Sequence, residues 1–265
     1  MKIPHRGTTL IEMLVALAVM GVVMAGALRL YYHNAQAVGS QNLSTDMEQN
    51  LRLSAENLTF KLRNTNYGVP LTNLSLWFSW VAGFTANPMI TYGAGASVPD
   101  SFSMATCSPS PVAYLSAAAN SGATTLTLTT VAGLNTTNKR MIYIDDQQNA
   151  VITAISGSTI TIDTDPTTPG NQGTSRYYPA GTPLCVVGVS TYSVNTATKT
   201  LLRDDNLGAG PQPVAADIVN MKLVANGAGI NISYQVTLTG TTASPDPFTN
   251  AYVQRSLMVI ATRYN

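Results

Sequence analysis

The sequence predicts an α+β fold in which a long N-terminal helix packs on an antiparallel β-sheet that carries a small inserted β module. Three observations predict it. An apolar run fills residues 8–30, an amphipathic pattern continues it over residues 31–66, and short β-rich runs make up the rest of the chain. The helix is therefore expected to have a membrane half and an amphipathic half, and the second half needs a sheet to cover its apolar face.

The run from Thr8 to Leu28 matches the thickness of a membrane. It forms about 31 Å of helix, close to a hydrocarbon core of roughly 30 Å. Lys2 and Arg6 precede it, and the positive-inside bias places them in the cytoplasm and the bulk of the chain outside. Glu12 is the one charged residue in the run, and a carboxylate at mid-bilayer costs roughly 2.5–3.5 kcal/mol. Some interaction must compensate that cost.

The amphipathic half of the helix has a stripe of apolar residues at helical spacing. Its members are Leu43, Met47, Leu51, Leu58 and Leu62. Such spacing places them on one helix face, which is expected to pack on the sheet. Gly68 and Pro70 are expected to end the helix.

The rest of the chain predicts a sheet domain over residues 67–111 and 166–265, interrupted by a β module over residues 112–165. Within the module, several strands at spacings near ten residues are typical of a small barrel or sandwich. The predicted strands are Thr124–Val131, Met141–Asp145, Ala150–Ile155, Thr159–Asp163, Leu184–Val189, Thr191–Val194, Lys199–Arg203, Ile230–Leu238 and Val253–Arg263.

Composition excludes several functions. The net charge is +1 and charged residues are only 10% of the chain, so there is no clear signal for nucleic-acid binding. The two histidines, His5 and His33, lie in the leader and at the membrane exit, which leaves the outer domain without histidine for a catalytic triad or a zinc site. No phosphate-binding loop or Cys-x-x-Cys pair occurs. We expect no enzyme activity, no cofactor and no metal.

Two features have alternative interpretations. Carboxylates cluster at Asp145-Asp146, at Asp163 with Asp165, and at Asp204-Asp205. Such oxygen-rich loops could hold calcium, but turn and strand-end aspartates are the simpler interpretation. The aromatic cluster Trp77–Phe84 either forms a surface for a partner or lies in the core at the helix–sheet junction.

Cys107 and Cys185 are the two cysteines, and both lie outside the membrane segment. In an oxidising compartment they are expected to form one disulfide, and the alternative is a pair of buried free thiols. A bond between them would join the base of the inserted module to the parent sheet. Closing a loop of this length stabilises the folded state by about 4 kcal/mol in the loop-entropy model.

The N-terminal segment Gly7-Thr8-Thr9-Leu10-Ile11-Glu12, with a basic leader before it and an apolar helix after it, resembles the processing site of type IV prepilins and type II secretion pseudopilins. The resemblance implies that the leader, residues 1–7, is removed after Gly7 and that the new terminus at Thr8 is N-methylated. Glu12 is then the fifth mature residue, which implies a role in assembly. Thr8 departs from the family pattern, which usually has phenylalanine there.

Two weaker matches, Arg63…Tyr67-Gly68 and Tyr192-x-Val194…Leu202-Arg203, resemble PilW-like minor pilins and the related J-type pseudopilins. The resemblance implies a structural minor pilin of a type IV pilus, with other pilins, a prepilin peptidase and an inner-membrane assembly platform as partners. It implies a single-pass inner-membrane protein that later joins a surface fimbrium. Alternatives are a J-type pseudopilin of type II secretion, a pilus-tip module for adhesion or DNA uptake, and a plain signal-anchored β protein.

Overall fold

A computed structural model describes residues 9–70, 72–91, 99–108, 110–228 and 231–262 of the 265-residue chain. Its main helix, α1, runs from Leu10 to Arg63 without interruption. No proline occurs within it, and Lys61 and Arg63 lie in its last turn, where cations interact favourably with the helix dipole. Asn66 and Gly68 then adopt left-handed backbone angles that turn the chain away. A one-turn helix, α2 (Leu74–Trp77), follows.

Thirteen strands follow within the described residues, and every pairing between them is antiparallel. They are β1 (Met89–Thr91), β2 (Ser101–Cys107), β3 (Ala113–Tyr114), β4 (Thr125–Thr127), β5 (Met141–Ile144), β6 (Gln148–Ser156), β7 (Thr159–Asp163), β8 (Pro183–Asn195), β9 (Thr200–Asp204), β10 (Gln212–Ala216), β11 (Ile218–Ala228), β12 (Asn231–Thr241) and β13 (Gln254–Thr262). The predicted α+β class, a long N-terminal helix with antiparallel sheets, is confirmed.

The strands form two sheets. The ten-stranded sheet has the main order β1-β2-β8-β5-β6-β7-β4. Its other three strands pair at the side of this order: β3 and β9 pair with β8, and β10 pairs with β9. The three-stranded sheet has the order β11-β12-β13. The first residues of β8 pair with β3 and β5, and its last residues pair with β2 and β9. Two separate strands were predicted here, but pairing along the whole length makes β8 continuous.

The described residues divide into two compact units. One unit comprises the described part of Met1–Met47 together with Thr242–Val253, and the other comprises Glu48–Thr241 with the described part of Gln254–Asn265. Within the larger unit, the apolar stripe of α1 is buried as predicted: Leu51, Leu58 and Leu62 are each at most 3% exposed. The hydroxyl of Tyr192 in β8 donates to Oδ1 of Asn57 at 3.2 Å, which ties the helix to the ten-stranded sheet.

Described residues of the larger unit form at least two apolar cores. One combines Trp77, Phe78 and Phe84 with residues of β2, β5, β6 and β8. Most of the Trp77–Phe84 cluster is therefore core, with Phe78 and Phe84 completely buried. The second core lies among β3–β7 and also includes Tyr178 and Leu184, which come after residue 165, the end of the module expected from the sequence.

Candidate assembly site

The first turn of α1 is closed by a reciprocal pair of hydrogen bonds. The backbone N–H of Thr9 donates to Oε2 of Glu12 at 2.9 Å, and the N–H of Glu12 donates to Oγ1 of Thr9 at 3.4 Å. This is a capping box. The Glu12 N–H is shared, because it also donates to the Thr9 carbonyl oxygen at 3.0 Å. Glu12 also lies at the positive end of the helix dipole. Gly7 and Thr8, the predicted processing residues, lie outside the described residues.

The membrane half of α1 presents an apolar surface on all sides. Every residue from Leu10 to Tyr32 is exposed in the structure, including Leu10 at 81% and Val22 at 74%. Glu12 is the one charged residue of the helix before Arg29. The helix is long and apolar enough to cross a membrane. An exposed surface of this kind has to be covered by lipid or by other proteins.

The segment between β12 and β13 packs on α1 beyond the apolar run. The Ser40 hydroxyl donates a short hydrogen bond to Oδ2 of Asp246, whose Oδ1 accepts from the N–H groups of Phe248 and Thr249. The hydrogen bond from Ser40, followed by those from Thr249 and Phe248, lowers the pKa of the Asp246 carboxyl. The ring of Phe248 meets that of His33 edge to face, with centroids 5.2 Å apart. We call residues 242–253 the helix-bound loop.

A disulfide joins Cys107 of β2 to Cys185 of β8, with Cα atoms 5.8 Å apart. That separation is normal for a disulfide. Cys107 pairs across the sheet with Val187, and Cys185 pairs with Tyr143 of β5. The bond therefore lies where β8 changes its partners from the module strands to β2. Gly68 packs against this corner: a Cβ on Gly68 would lie 2.8 Å from the Tyr143 ring and 3.1 Å from Cβ of Cys107.

A groove of about 760 Å³ lies beside the end of α1, β2 and β8. Four of its lining residues are cations, namely Lys61, Arg63, Lys139 and Arg203, and Asp205 is the one acidic residue that lines it. The Arg203 guanidinium donates to Asp205 at 2.6 Å, and the Ser190 hydroxyl donates to the same carboxyl at 2.7 Å. Burial opposes ionisation of Asp205, but the bonds from Arg203 and Ser190 lower its pKa.

Two tyrosines at the groove and behind it have raised pKa values. A hydrogen bond with Asp146, followed by burial, raises the pKa of Tyr67 to about 12. Burial raises the pKa of Tyr192 to about 12, with Arg203 acting in the opposite direction. Tyr192 is completely buried and stacks on Phe102 with ring centroids 5.3 Å apart. Both phenols therefore remain protonated at neutral pH.

The acidic pairs have structural partners. Asp145 and Asp146 form the left-handed turn between β5 and β6. Oδ1 of Asp163 accepts from the N–H groups of Asp165 and Gln172, and the Thr167 and Thr168 hydroxyls donate to Asp165. Across residues 9–262, apart from the segments that the structure leaves undescribed, no three His, Cys, Asp or Glu side chains are placed to share a metal ion.

Comparison with known proteins identifies the N-terminal segment. Residues 4–28 match the family model described as the prokaryotic N-terminal methylation motif. This range contains Gly7, Thr8 and Glu12, and the predicted prepilin-like motif is confirmed. Neither the curated proteins nor the solved structures contain a significant match to the chain. The N-terminal segment of the chain thus carries a type IV prepilin-like methylation motif, which in general marks a protein for processing by a prepilin peptidase.

The disulfide expected between Cys107 and Cys185 is present, whereas the assembly role of Glu12 stays a prediction. The structure adds two features that sequence reasoning missed. The helix-bound loop carries no motif, and its contacts with Ser40 and His33 join residues about 200 positions apart in the chain. The groove gathers cations from α1, the module and β9, and no local charge run signals it. Only the fold brings these residues together.

Proposed function

We propose that the protein is a minor pilin of a type IV pilus, cut between Gly7 and Thr8 and assembled through α1 into a filament. The observation that supports this most is the helix surface. The first 20 residues of α1 are exposed on all sides and carry one ionisable group, Glu12, in the first turn. A bilayer covers this surface before assembly, and the helices of neighbouring subunits cover it afterwards.

Cleavage after Gly7 would create a cationic amine on Thr8, four residues before Glu12. In a filament core, the Glu12 carboxylate of one subunit pairs with the Thr8 amine of a neighbour, which offsets the cost of removing both charges from water. A subunit in the wrong register leaves the Glu12 carboxylate without a cationic partner and is disfavoured. The pairing therefore selects the register of assembly more than it adds stability.

Small residues in α1 fit this role. A Cβ added to Gly21 or Gly26 would meet nothing within 4 Å, so packing inside the chain does not require glycine at either position. Small residues allow helices to approach closely in an apolar environment, where dispersion rather than the hydrophobic effect drives packing. The further small residues of this segment are Ala16, Ala18, Ala25 and Ala27.

The capping box gives a sharp test of the role of Glu12. Glu12→Gln keeps an acceptor for the Thr9 N–H but removes the charge, whereas Thr9→Val keeps the charge but removes the hydroxyl cap. The proposal expects Glu12→Gln to remain in the membrane and to be lost from sheared filaments at least tenfold. Thr9→Val should enter filaments at near wild-type levels. Immunoblots of membrane and filament fractions measure both.

If Glu12→Gln assembled normally, assembly would not depend on pairing of the Glu12 carboxylate with a neighbouring amine, and the proposed role of Glu12 would be wrong. Mass spectrometry of the mature N-terminus tests the processing step separately. A plain signal-anchored protein would keep residues 1–7, and the proposed pilin begins at a methylated Thr8.

A J-type pseudopilin of type II secretion would need the same processing site and apolar helix, but it would assemble in a secretion system rather than in a pilus. A deletion strain scored for piliation and for protein secretion distinguishes them, because loss of secretion with normal pili would favour the pseudopilin. Genes for other short prepilins beside this one would support a role in a type IV pilus. A neighbouring secretin gene with a secretion ATPase gene would support type II secretion.

The cationic groove favours a second candidate function, binding of an anionic ligand by a subunit near the filament tip. The exposed rings of Phe60 and Tyr67 line the same groove. Fluorescence anisotropy with labelled polygalacturonate and single-stranded DNA would measure it. Lys139→Ala should weaken binding several-fold and lower its salt dependence, whereas Lys222→Ala, an exposed cation that does not line the groove, should have little effect.

A further inference from the structure

We propose that the helix-bound loop, residues 242–253, is a second membrane-contacting element that places Phe248 in the headgroup layer of the bilayer crossed by α1. The inference rests on the membrane-stored state of the proposed function and adds a lipid contact that the methylation motif does not imply. It comes from the contacts of the loop with α1 and from the position of those contacts along the helix.

The position of the contacts follows from helix geometry. The apolar run of α1 ends at Leu28, and Arg29 is the next charged residue. His33 lies about 7.5 Å beyond Leu28 along the axis, within the outer part of a headgroup layer that is about 5–7.5 Å thick on each side. His33, and the Phe248 ring in contact with it, therefore lie at the level of the headgroups.

The polar attachment of the loop lies further from the membrane. Ser40, which donates to Asp246, is about 10 Å beyond His33 along the helix. Pro247 lies next to Gly39, where a Cβ would be 3.8 Å from the proline ring. Thus the loop is attached through the buried carboxylate of Asp246 in the aqueous zone, and Phe248 reaches from there toward the bilayer.

The side chains at the lower level suit an interface. Tyr31, Tyr32 and Phe248 are 69%, 65% and 47% exposed. Tyrosine rings prefer the boundary between lipid and water, where the ring is buried and the hydroxyl remains hydrated, and the Phe248 ring at the same level adds apolar area. The loop contains no Lys or Arg. Its contact with lipid is therefore apolar and should depend little on anionic lipid or on salt.

Tryptophan quenching tests this in the full chain reconstituted in phosphatidylcholine vesicles with a shallow doxyl-labelled lipid. Two exposed positions on α1 serve as depth references. Tyr31→Trp lies at the interface, and Val38→Trp lies about 10 Å further from the membrane. We expect Phe248→Trp to be quenched as strongly as Tyr31→Trp and at least twofold more than Val38→Trp. Trp77 and Trp80 give a background that is measured in the unchanged chain.

Phe248→Trp quenching at the Val38→Trp level, with Tyr31→Trp strongly quenched, would overturn the loop contact and leave the membrane helix intact. The exposed surface of the helix-bound loop would then be available to a protein partner rather than to lipid. If Tyr31→Trp were also unquenched, the membrane-stored state itself would fail. Ser40→Ala added to Phe248→Trp should reduce the quenching, because it removes the hydrogen bond that holds the loop on the helix. Replacing a third of the lipid with phosphatidylglycerol should change nothing, and a strong increase would contradict an apolar contact.

Discussion

The N–H of Thr9 donates to Oε2 of Glu12 at 2.9 Å, and the N–H of Glu12 donates back to Oγ1 of Thr9 at 3.4 Å. The carboxylate therefore has a partner within its own chain before any neighbour is present. This reduces the cost of holding a charge near the end of a membrane helix. It also means that pairing with a neighbouring subunit would replace one interaction of Glu12 by another, rather than satisfy a group without any partner.

Thr9→Val should loosen the first turn of α1 without unfolding the domain. The Glu12 N–H keeps its bond to the Thr9 carbonyl oxygen. Loss of an N-cap hydroxyl costs about 1 kcal/mol, so the amides of the first turn should exchange with solvent deuterium at most about fivefold faster. Hydrogen exchange of the full chain in detergent measures this. Thr45→Val is the matched control, because its hydroxyl donates to the Gln41 carbonyl within the same helix and caps nothing. Unchanged exchange in Thr9→Val would show that the capping box does not hold the turn.

Leu58→Ala should destabilise the domain by about 2–5 kcal/mol, since Leu58 is completely buried and truncation leaves a cavity. Leu53→Ala, on the same helix but 64% exposed, should change the free energy of unfolding by less than about 0.5 kcal/mol. Denaturant titration followed by tryptophan fluorescence compares the two. Equal effects would show that the buried stripe does not carry the packing of α1.

Gly68→Ala should be more damaging than its backbone angle alone explains. Gly68 and Gly210 both have φ of +71°, where an L side chain costs roughly 1–2 kcal/mol. At Gly210 the added Cβ meets nothing within 4 Å, but at Gly68 it meets Tyr143 and the disulfide corner. Gly68→Ala should therefore lower the thermal midpoint more than Gly210→Ala. Equal shifts of the thermal midpoint would mean that Tyr143 and Cys107 move away from the added Cβ without loss of stability.

Stability should fall as pH rises from 10 to 12, partly through Tyr192. Its folded pKa is raised by burial to about 12 from 10.0, so in this window the unfolded chain has lost a proton that the folded chain keeps. The contribution is complete below pH 10, and on the order of 2 kcal/mol is lost by pH 12.

Tyr192→Phe should remove that part of the pH dependence. It also removes the hydrogen bond to Asn57, which should cost about 1 kcal/mol at neutral pH. Urea titrations between pH 7 and 12 give both effects. Tyr177→Phe, at an exposed position, controls for loss of a phenol. A Tyr192→Phe chain with the wild-type slope would contradict the prediction.

Local sequence signals predicted the elements that depend on local physics. The spacing of Met47, Leu51, Leu58 and Leu62 indicates the buried face of α1, and the Ser156–Ser158 turn indicates the hairpin between β6 and β7. The extents of other strands were not predicted. β11 includes Asn and Gly residues and is absent from the predicted strands, but its partner β12 makes it eleven residues long. Thr124–Val131 alternates throughout, yet β4 covers only Thr125–Thr127, where β7 supplies partners.

By itself, the sequence determined the prepilin-like segment, the membrane-length helix and the position of Glu12, because each depends on residues within a few turns of one another. The tertiary structure decided what those residues meet. Ser40 contacts Asp246, His33 contacts Phe248, and four cations from three parts of the chain line one groove. These contacts depend on strand order and register, which are set by the packing of the whole chain and have no local pattern.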